Sequence, residues 1–238
     1  MTSPIRTLLL AVLLLTCAAA GAHADGYSRA AQQVIAQARA ATGGSGWNML
    51  RGWHEVGQDG AVRYESWVDP LRYGQRVELH EPAGLRVHGF NGMGAWQILP
   101  NGVVTGVVDL TTVRAARTQA FFGANAFLYP GRYDARADYL GVKQNRGRAF
   151  DVVAVQPWGG ASRELWFDRR THLLGRMVER GGAKPVTTEV SDYRKVGPVL
   201  VAFRYTVDDG TSAMVRERQV QSLDFAPADR AVFSLPRP

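Results

Sequence analysis

The sequence contains a single cysteine, Cys17, so no internal disulfide and no multi-thiolate zinc site can be built from it. Cys17 lies in a segment where Leu8–Leu15 forms an apolar run and Ala22-His23-Ala24 has the A-x-A pattern of a signal-peptidase site. We therefore predict a signal peptide over residues 1–24, cleaved after Ala24. The mature domain, residues 25–238, would then contain no thiol nucleophile.

Cys17 also allows a second interpretation, because Leu14-Leu15-Thr16-Cys17 resembles the motif at which a lipoprotein is acylated. Thr16 stands where Gly, Ala or Ser is usual, so the pattern favours cleavage after Ala24 over lipid attachment at Cys17. The sequence also lacks any apolar run near the roughly 20 residues that a membrane-spanning helix needs. Export is predicted under both interpretations.

Catalytic and metal-binding motifs are missing as well. The histidines after residue 24 show no H-x-H or H-x-x-x-H spacing, and Gly43-Gly44-Ser45-Gly46-Trp47 departs from a nucleophile elbow at its last position. We predict no catalytic residue, no metal ligand and no cofactor, and hence a protein that is not an enzyme.

The glycine-rich stretch GFNGMGAW, residues 89–96, could be a phosphate-binding loop or the turn of a β-hairpin. A phosphate loop would be followed by a helix whose N-terminus faces the phosphate, but residues 95–99 continue as a strand. Asn91-Gly92 between two strand patterns is typical of a hairpin turn with positive φ angles. The hairpin is the interpretation that the pattern favours.

The formal net charge is +7, and the basic residues are spread along the chain without a block of like charges. For an exported protein this distribution does not predict a nucleic-acid partner. An anionic membrane surface fits it better, and a basic surface that is merely solvated fits it better still.

The hydrophobic pattern predicts one α+β domain. Helical periodicity covers Tyr27–Ala41, with Ser28 as N-cap, and Thr111–Phe127, with Thr111 or Thr112 as N-cap and Gly123 as a weak point. Short alternating runs separated by turn residues predict an antiparallel sheet with one apolar face that the helices cover. The predicted strands are Arg63–Val68, Gln75–His80, Leu85–Phe90, Ala95–Leu99, Val103–Val108, Tyr139–Lys143, Ala149–Gln156, Arg163–Asp168, Leu173–Arg180, Val186–Lys195, Val199–Asp208 and Met214–Phe225.

Aromatic residues are abundant: the chain has six tryptophans, and Phe121, Phe122 and Phe127 lie close together in the second helical segment. Such residues either fill a solid core or line a cavity for an apolar ligand, since ligand cavities are lined mostly by apolar and aromatic side chains. The sequence leaves both possibilities open.

The order of several motifs resembles one known family. An exported chain opens with a helix ending ARAATGG and continues with GFNGMGAW, FDVVAVQPWGG, ELWFD, SDYRKV and APADRAVFSLP. Together they resemble the outer-membrane lipoprotein-sorting, LolA-like superfamily of periplasmic proteins. The resemblance implies a single unclosed antiparallel β-barrel of about eleven strands around two or three helices that act as plug and lid. It also implies a periplasmic location.

The resemblance implies the function as well, because members carry lipoprotein acyl chains or sense lipoproteins and envelope stress. We expect a periplasmic carrier or sensor that binds a lipid or lipoprotein acyl chain between sheet and helices. Its partners would include envelope proteins or an anionic membrane surface, and it would be a monomer. The alternative is an interaction or scaffold domain with a solid core. The residues expected to contact the ligand are Trp67, Trp96, Phe121, Phe122, Phe127 and Trp166, with Arg114 and Arg117 at the mouth for an acidic headgroup.

Overall fold

The computed structural model describes residues 26–211 and 215–236; the predicted signal peptide, its cleavage site and Cys17 lie outside these residues. Thirteen strands form one sheet. They are β1 Trp53–Asp59, β2 Val62–Asp69, β3 Gly74–Glu81, β4 Gly84–Asn91, β5 Ala95–Ile98, β6 Val104–Val107, β7 Ala135–Asn145, β8 Arg148–Pro157, β9 Arg163–Asp168, β10 Leu174–Glu179, β11 Val186–Val196, β12 Val199–Asp208 and β13 Arg216–Asp224.

The sheet is antiparallel and does not close. Its order is β6-β5-β4-β3-β2-β1-β13-β12-β11-β10-β9-β8-β7, so β6 and β7 are its two edges. The α+β class and the unclosed sheet are confirmed, with thirteen strands in place of about eleven. Each predicted strand has a counterpart, although Met214 lies outside the described residues. The periodicity missed β1, whose inner positions Glu55 and Gly57 carry no apolar side chain.

Two α-helices pack on one side of this sheet: α1 is Arg29–Ala41 and α2 is Leu110–Gly123. Ser28 caps α1 as predicted, by accepting a hydrogen bond from the backbone N–H of Ala31. The predicted Thr111 or Thr112 cap of α2 is wrong, because Asp109 accepts the capping bond from Thr112 N–H at 2.8 Å. A carboxylate is a stronger acceptor than a hydroxyl and also complements the helix dipole.

The second predicted helix ends earlier than its periodicity suggests. After α2 the chain turns at Asn125, whose φ of 49° is left-handed, and a short 3₁₀ helix, Ala126–Leu128, follows. Further 3₁₀ helices are Gly44–Met49 and Arg230–Phe233. Gly123 has no side chain, and the Gln75 amide lies beside it: a Cβ on residue 123 would stand 2.7 Å from Gln75 Nε2. The helix thus ends at Gly123, the residue that the sequence analysis predicts as its weak point.

The inner face of the sheet, meaning the face that the helices cover, carries the main core. Phe121, Phe127, Val153, Leu165 and Phe167 are buried there. Leu165 and Phe167 share this face because side chains two residues apart on a strand point the same way.

The opposite, outer face is covered near β3–β5 by the C-terminal segment. The ring of Phe233 lies over Gly74, and a Cβ on residue 74 would stand 2.8 Å from the ring atom Cγ. The backbone carbonyl of Phe233 accepts a hydrogen bond from Trp96 Nε1 at 2.8 Å. This part of the outer face is therefore buried as well. Neither described helix of the fold is long and apolar enough to cross a membrane.

The stretch GFNGMGAW forms a hairpin turn between β4 and β5, as predicted. Its geometry differs from the expected two-residue turn, since only Gly92 has a positive φ, 95°, and the turn spans Gly92–Gly94. The Asn91 side chain accepts hydrogen bonds from the backbone N–H groups of Met93 and Gly94 at 3.0 and 2.8 Å. The asparagine fixes this turn through its side chain.

Candidate ligand-binding site

A cleft of about 380 Å³ opens where the β4–β5 turn approaches the β8–β9 turn. We call it the mouth cleft; it is lined by Tyr73, Gly92, Met93, Arg117, Tyr133, Asp134 and Trp158. Helix α2 supplies Arg117 and touches β3, β4, β5 and β8, so it bridges both halves of the open sheet. The volume falls within the range of roughly 300–1,000 Å³ that is usual for small-molecule sites.

Aromatic rings lead from the mouth cleft into the core. The Tyr73 ring stacks on Tyr133 at 5.1 Å and meets Phe121 edge-on at 6.0 Å. Phe121 in turn lies 5.2 Å from Phe122, between ring centroids. The cleft is thus the outer end of an aromatic path toward the inner face of the sheet.

Arg117 is the charged residue that the structure holds most firmly at this position. Its guanidinium lies 4.9 Å from the Trp158 ring centroid and 5.9 Å from that of Phe90, and Nη1 donates to the Trp158 carbonyl at 3.4 Å. The Tyr73 hydroxyl donates to the Arg117 carbonyl at 3.1 Å. A guanidinium is attracted to the face of an aromatic ring, so these contacts hold the Arg117 side chain at the cleft.

Two polar atoms beside the cleft are buried without a hydrogen-bond partner in the described part of the chain, Tyr133 Oη and Arg117 Nε. An unpaired buried donor costs about 1–3 kcal/mol. Burial raises the pKa of Tyr133 to about 12, and the positive charge of Arg132 only partly offsets this effect. The phenol is therefore protonated at neutral pH and can donate a hydrogen bond.

The predicted ligand-contacting residues divide between the two faces. Phe121, Phe122 and Phe127 are buried between helices and sheet, as expected, with ring centroids of neighbouring pairs 5.2 and 6.4 Å apart. Their rings contact one another directly. They therefore fill the space that a ligand would occupy.

The placement predicted for the tryptophans is wrong, because Trp67, Trp96 and Trp166 lie on the outer face. Trp67 pairs with His54 and Arg76, and Trp96 with Gly89, while their inner-face neighbours such as Val68 and Ala95 point to the helices. A strand pattern shows which residues share a face but not which face the helices cover. On the outer face, the C-terminal segment covers Trp96, whose Nε1 donates to the Phe233 carbonyl.

Each outer tryptophan has its own partners. Trp67 stacks on His54 at 4.6 Å, and Arg76 lies 5.9 Å from its ring centroid and 5.5 Å from that of Trp96. Trp166 packs in a separate cluster with Phe150, between Lys143 and Arg176, and donates to Glu164 at 3.1 Å. These contacts explain why the three rings are held on the outer face.

Of the two predicted arginines, only Arg117 lines the mouth cleft; Arg114 is exposed one turn earlier on α2. The sequence analysis did not select Tyr73, Met93, Tyr133 or Trp158. Met93 and Trp158 lie in the glycine-rich turns 91–94 and 157–160. A large apolar residue among turn residues was the sequence feature that could have identified them, and both side chains are exposed in the structure. Within residues 26–211 and 215–236, no three His, Cys, Asp or Glu side chains are grouped to hold a metal ion.

The comparisons with known proteins concern the fold. No protein-family model matches the sequence, and no curated protein sequence matches it. A LolA superfamily protein from Nitrosomonas europaea superposes with a TM-score of 0.60 at 12% identity, over 86% of this chain and 97% of that one. A DUF1329 family protein from Desulfovibrio piger superposes with a TM-score of 0.57 at 11% identity, over 86% of this chain and 97% of that one.

An outer membrane lipoprotein-sorting protein domain from Vibrio parahaemolyticus gives a TM-score of 0.53 at 13% identity, over 81% of this chain and 91% of that one. The molecule is thus an open-barrel protein in which a curved sheet encloses helices. More particularly, it has a LolA-like fold, which confirms the resemblance seen in the motifs. At these identities the likeness is one of fold.

Proposed function

We propose that this protein is a non-enzymatic periplasmic carrier or sensor that binds a lipid or lipoprotein acyl chain between the curved sheet and the helices. The observation that supports this most directly is the mouth cleft, which has aromatic walls and continues as rings into the core. The LolA-like fold is consistent with it, since one similar structure is described as a lipoprotein-sorting domain.

Phe121, Phe122 and Phe127 would contact the chain, and Arg114 and Arg117 would lie near its polar end. Because these phenylalanines are closely packed, an acyl chain could enter only if α2 moved away from the sheet. The first two turns of α2 are mostly exposed, whereas its buried residues, Thr118, Ala120, Phe121 and Phe122, lie toward its C-terminal end. The helix can therefore open from its N-terminal end at the smallest cost in buried surface.

The test begins with protein exported through its own residues 1–24 and purified from the periplasm. Native mass spectrometry should show a co-purifying lipid, and intact mass should show cleavage after Ala24 in a monomer. Retention of Cys17 with an attached lipid would contradict the predicted cleavage. Absence of any lipid, together with no binding of a fluorescent acyl probe, would contradict the carrier function.

A pair of exposed residues then locates the binding site. Trp158, 71% exposed, lines the mouth cleft, and Met49, 70% exposed, does not. Trp158→Ala should weaken acyl-probe binding about tenfold, the equivalent of ~1.4 kcal/mol, while Met49→Ala should leave it unchanged. Neither variant should alter the unfolding midpoint much, because neither residue belongs to the core.

The second candidate is an interaction or scaffold domain that binds envelope proteins and no small molecule. The filled inner core favours it, since Phe121 has no exposed surface and Phe127 is 3% exposed. Under this function, the same periplasmic protein carries no lipid and captures a protein partner after cross-linking in the envelope.

A further inference from the structure

Two buried donors beside the mouth cleft lack acceptors. In the described part of the structure, neither Tyr133 Oη nor Arg117 Nε donates a hydrogen bond to an acceptor. The Arg132 guanidinium lies beside the Tyr133 hydroxyl but can only donate to it. Both residues line the same cleft. Buried polar groups are normally paired, so two unpaired donors at one opening require an explanation.

The surrounding residues hold these donors in place. Tyr73 stacks on Tyr133 at 5.1 Å and donates its hydroxyl to the Arg117 carbonyl at 3.1 Å, so it contacts both residues. Gly159, with φ of 64°, leaves room for the guanidinium: a Cβ there would stand 2.7 Å from Arg117 Nη1. The Arg117 guanidinium therefore occupies space next to Gly159 that a side chain at position 159 would share.

The chemistry of the donors limits what they can bind. A guanidinium only donates hydrogen bonds, and a phenol with a pKa of about 12 keeps its proton at neutral pH, so both groups suit an acceptor that carries negative charge. Arg132 adds a second positive charge, with its guanidinium 4.2 Å from the Tyr129 ring centroid. Two carboxylates oppose them: Asp134, which is exposed at the rim, and Asp69, whose negative charge also acts on Tyr133.

We propose that the mouth cleft binds the acidic oxyanion headgroup of an amphiphile, with Tyr133 Oη and Arg117 Nε as its hydrogen-bond donors. The inference rests on the proposed carrier function, because the chain of the amphiphile would follow the aromatic path inward. The two donors are shielded in this conformation, so the headgroup must displace a neighbouring side chain. Met93 and Trp158, 84% and 71% exposed, are the wall residues least held by packing.

Matched ligands test the headgroup. A long-chain fatty acid and its methyl ester share the same chain and differ in the negative charge, and inorganic phosphate supplies an oxyanion without a chain. Calorimetric titration of the full mature protein at pH 7 should show the acid binding about tenfold more tightly than the ester, ~1.4 kcal/mol. Phosphate at millimolar concentration should neither bind nor compete.

Variants assign the donors. Tyr133→Phe should remove most of the preference for the acid, leave ester binding unchanged and not lower the unfolding midpoint, because the lost hydroxyl donates to no acceptor in this structure. Arg117→Gln should remove the preference as well. Arg29→Gln, which deletes the same charge from an exposed position of α1 outside the cleft, should retain it.

The outcomes separate this inference from the proposed function. Equal binding of acid and ester would overturn the headgroup site and leave the carrier function standing, whereas no binding of either ligand would contradict both. A preference for the acid that survives Tyr133→Phe and Arg117→Gln would overturn the assigned donors. Tight binding of phosphate alone would show a site for a free anion and overturn the amphiphile.

Discussion

The two helices differ in how the fold holds them. Four residues of α1, Ala31, Val34, Ile35 and Ala38, are buried along the whole helix and belong to the main core. The buried residues of α2 are confined to its last two turns, and its start at Leu110 is 83% exposed. Helix α1 is therefore a fixed part of the core, whereas α2 is attached mainly at its C-terminal end.

Polar contacts add to the difference. Arg39 on α1 donates to the carbonyls of Leu128 and Gly44 at 2.7 and 3.2 Å and to the Asn48 side chain at 2.6 Å. It thereby ties α1 to two 3₁₀ helices. On α2 the comparable link is Thr118, whose hydroxyl accepts from the N–H of Ala161 at 2.7 Å.

The largest expected effect compares the two ends of α2. Phe121→Ala removes a fully buried ring and should lower the free energy of unfolding by about 3–5 kcal/mol. Leu110→Ala should change it by less than about 0.5 kcal/mol, since this side chain is exposed. Chemical denaturation followed by tryptophan fluorescence measures both. Similar values for the two variants would contradict the one-ended attachment of α2.

The next effect concerns the attachment of α1. Arg39→Met keeps much of the aliphatic stem but removes the three hydrogen bonds, and should cost about 2 kcal/mol of stability. Arg29→Met, at an exposed position of the same helix, serves as the control. If both variants have equal unfolding midpoints, Arg39 does not hold α1 in place.

A smaller effect is expected at the link between α2 and the β8–β9 turn. Thr118→Val preserves the side-chain shape but leaves the Ala161 N–H without its acceptor, at a cost of about 1–2 kcal/mol. Thr111→Val, on the exposed start of α2, should be nearly neutral. Acyl-probe binding should become faster in Thr118→Val if release of this link helps α2 to open, and an unchanged rate would argue against that role.

The smallest expected effect is a pH dependence in the stability of the first turn of α2, which the first turn of α1 should not share. Hydrogen bonds from the Thr112 side chain and backbone lower the pKa of Asp109 below its usual value. Ionised Asp109 therefore stabilises the start of α2. This stabilisation is complete above the unfolded-state pKa of about 4 and is lost as the pH falls through the lower folded-state pKa. Ser28, the cap of α1, does not titrate.

Amide hydrogen exchange at several acidic pH values measures this difference. Protection in the first turn of α2 should decline with falling pH more than protection in the first turn of α1, after correction for intrinsic rates. In Asp109→Asn, which keeps a capping side chain without the charge, the extra decline should disappear. Parallel behaviour of the two helices in the native chain would contradict the prediction.

Much of the fold could be predicted locally. The strand runs and α1 were recognised because alternation, helical spacing and turn residues are properties of neighbouring residues. Strand β1 was missed because Glu55, an inner-face residue, pairs with Tyr64 and Arg218, so the usual apolar position is ionic. Of the residues that line the mouth cleft, Arg117 was among the predicted ligand contacts, whereas Tyr73 and Tyr133 were not, because distant segments bring them together.

Local sequence patterns were sufficient to predict an antiparallel sheet with helical cover, and to predict that GFNGMGAW turns the chain between two strands. Only the tertiary structure decided which side of the sheet is inside. Trp96, which closes that stretch, lies on the outer face and donates to Phe233, a residue 137 positions away in the chain. Local periodicity fixes which side chains point together, but which face is covered depends on contacts between distant segments.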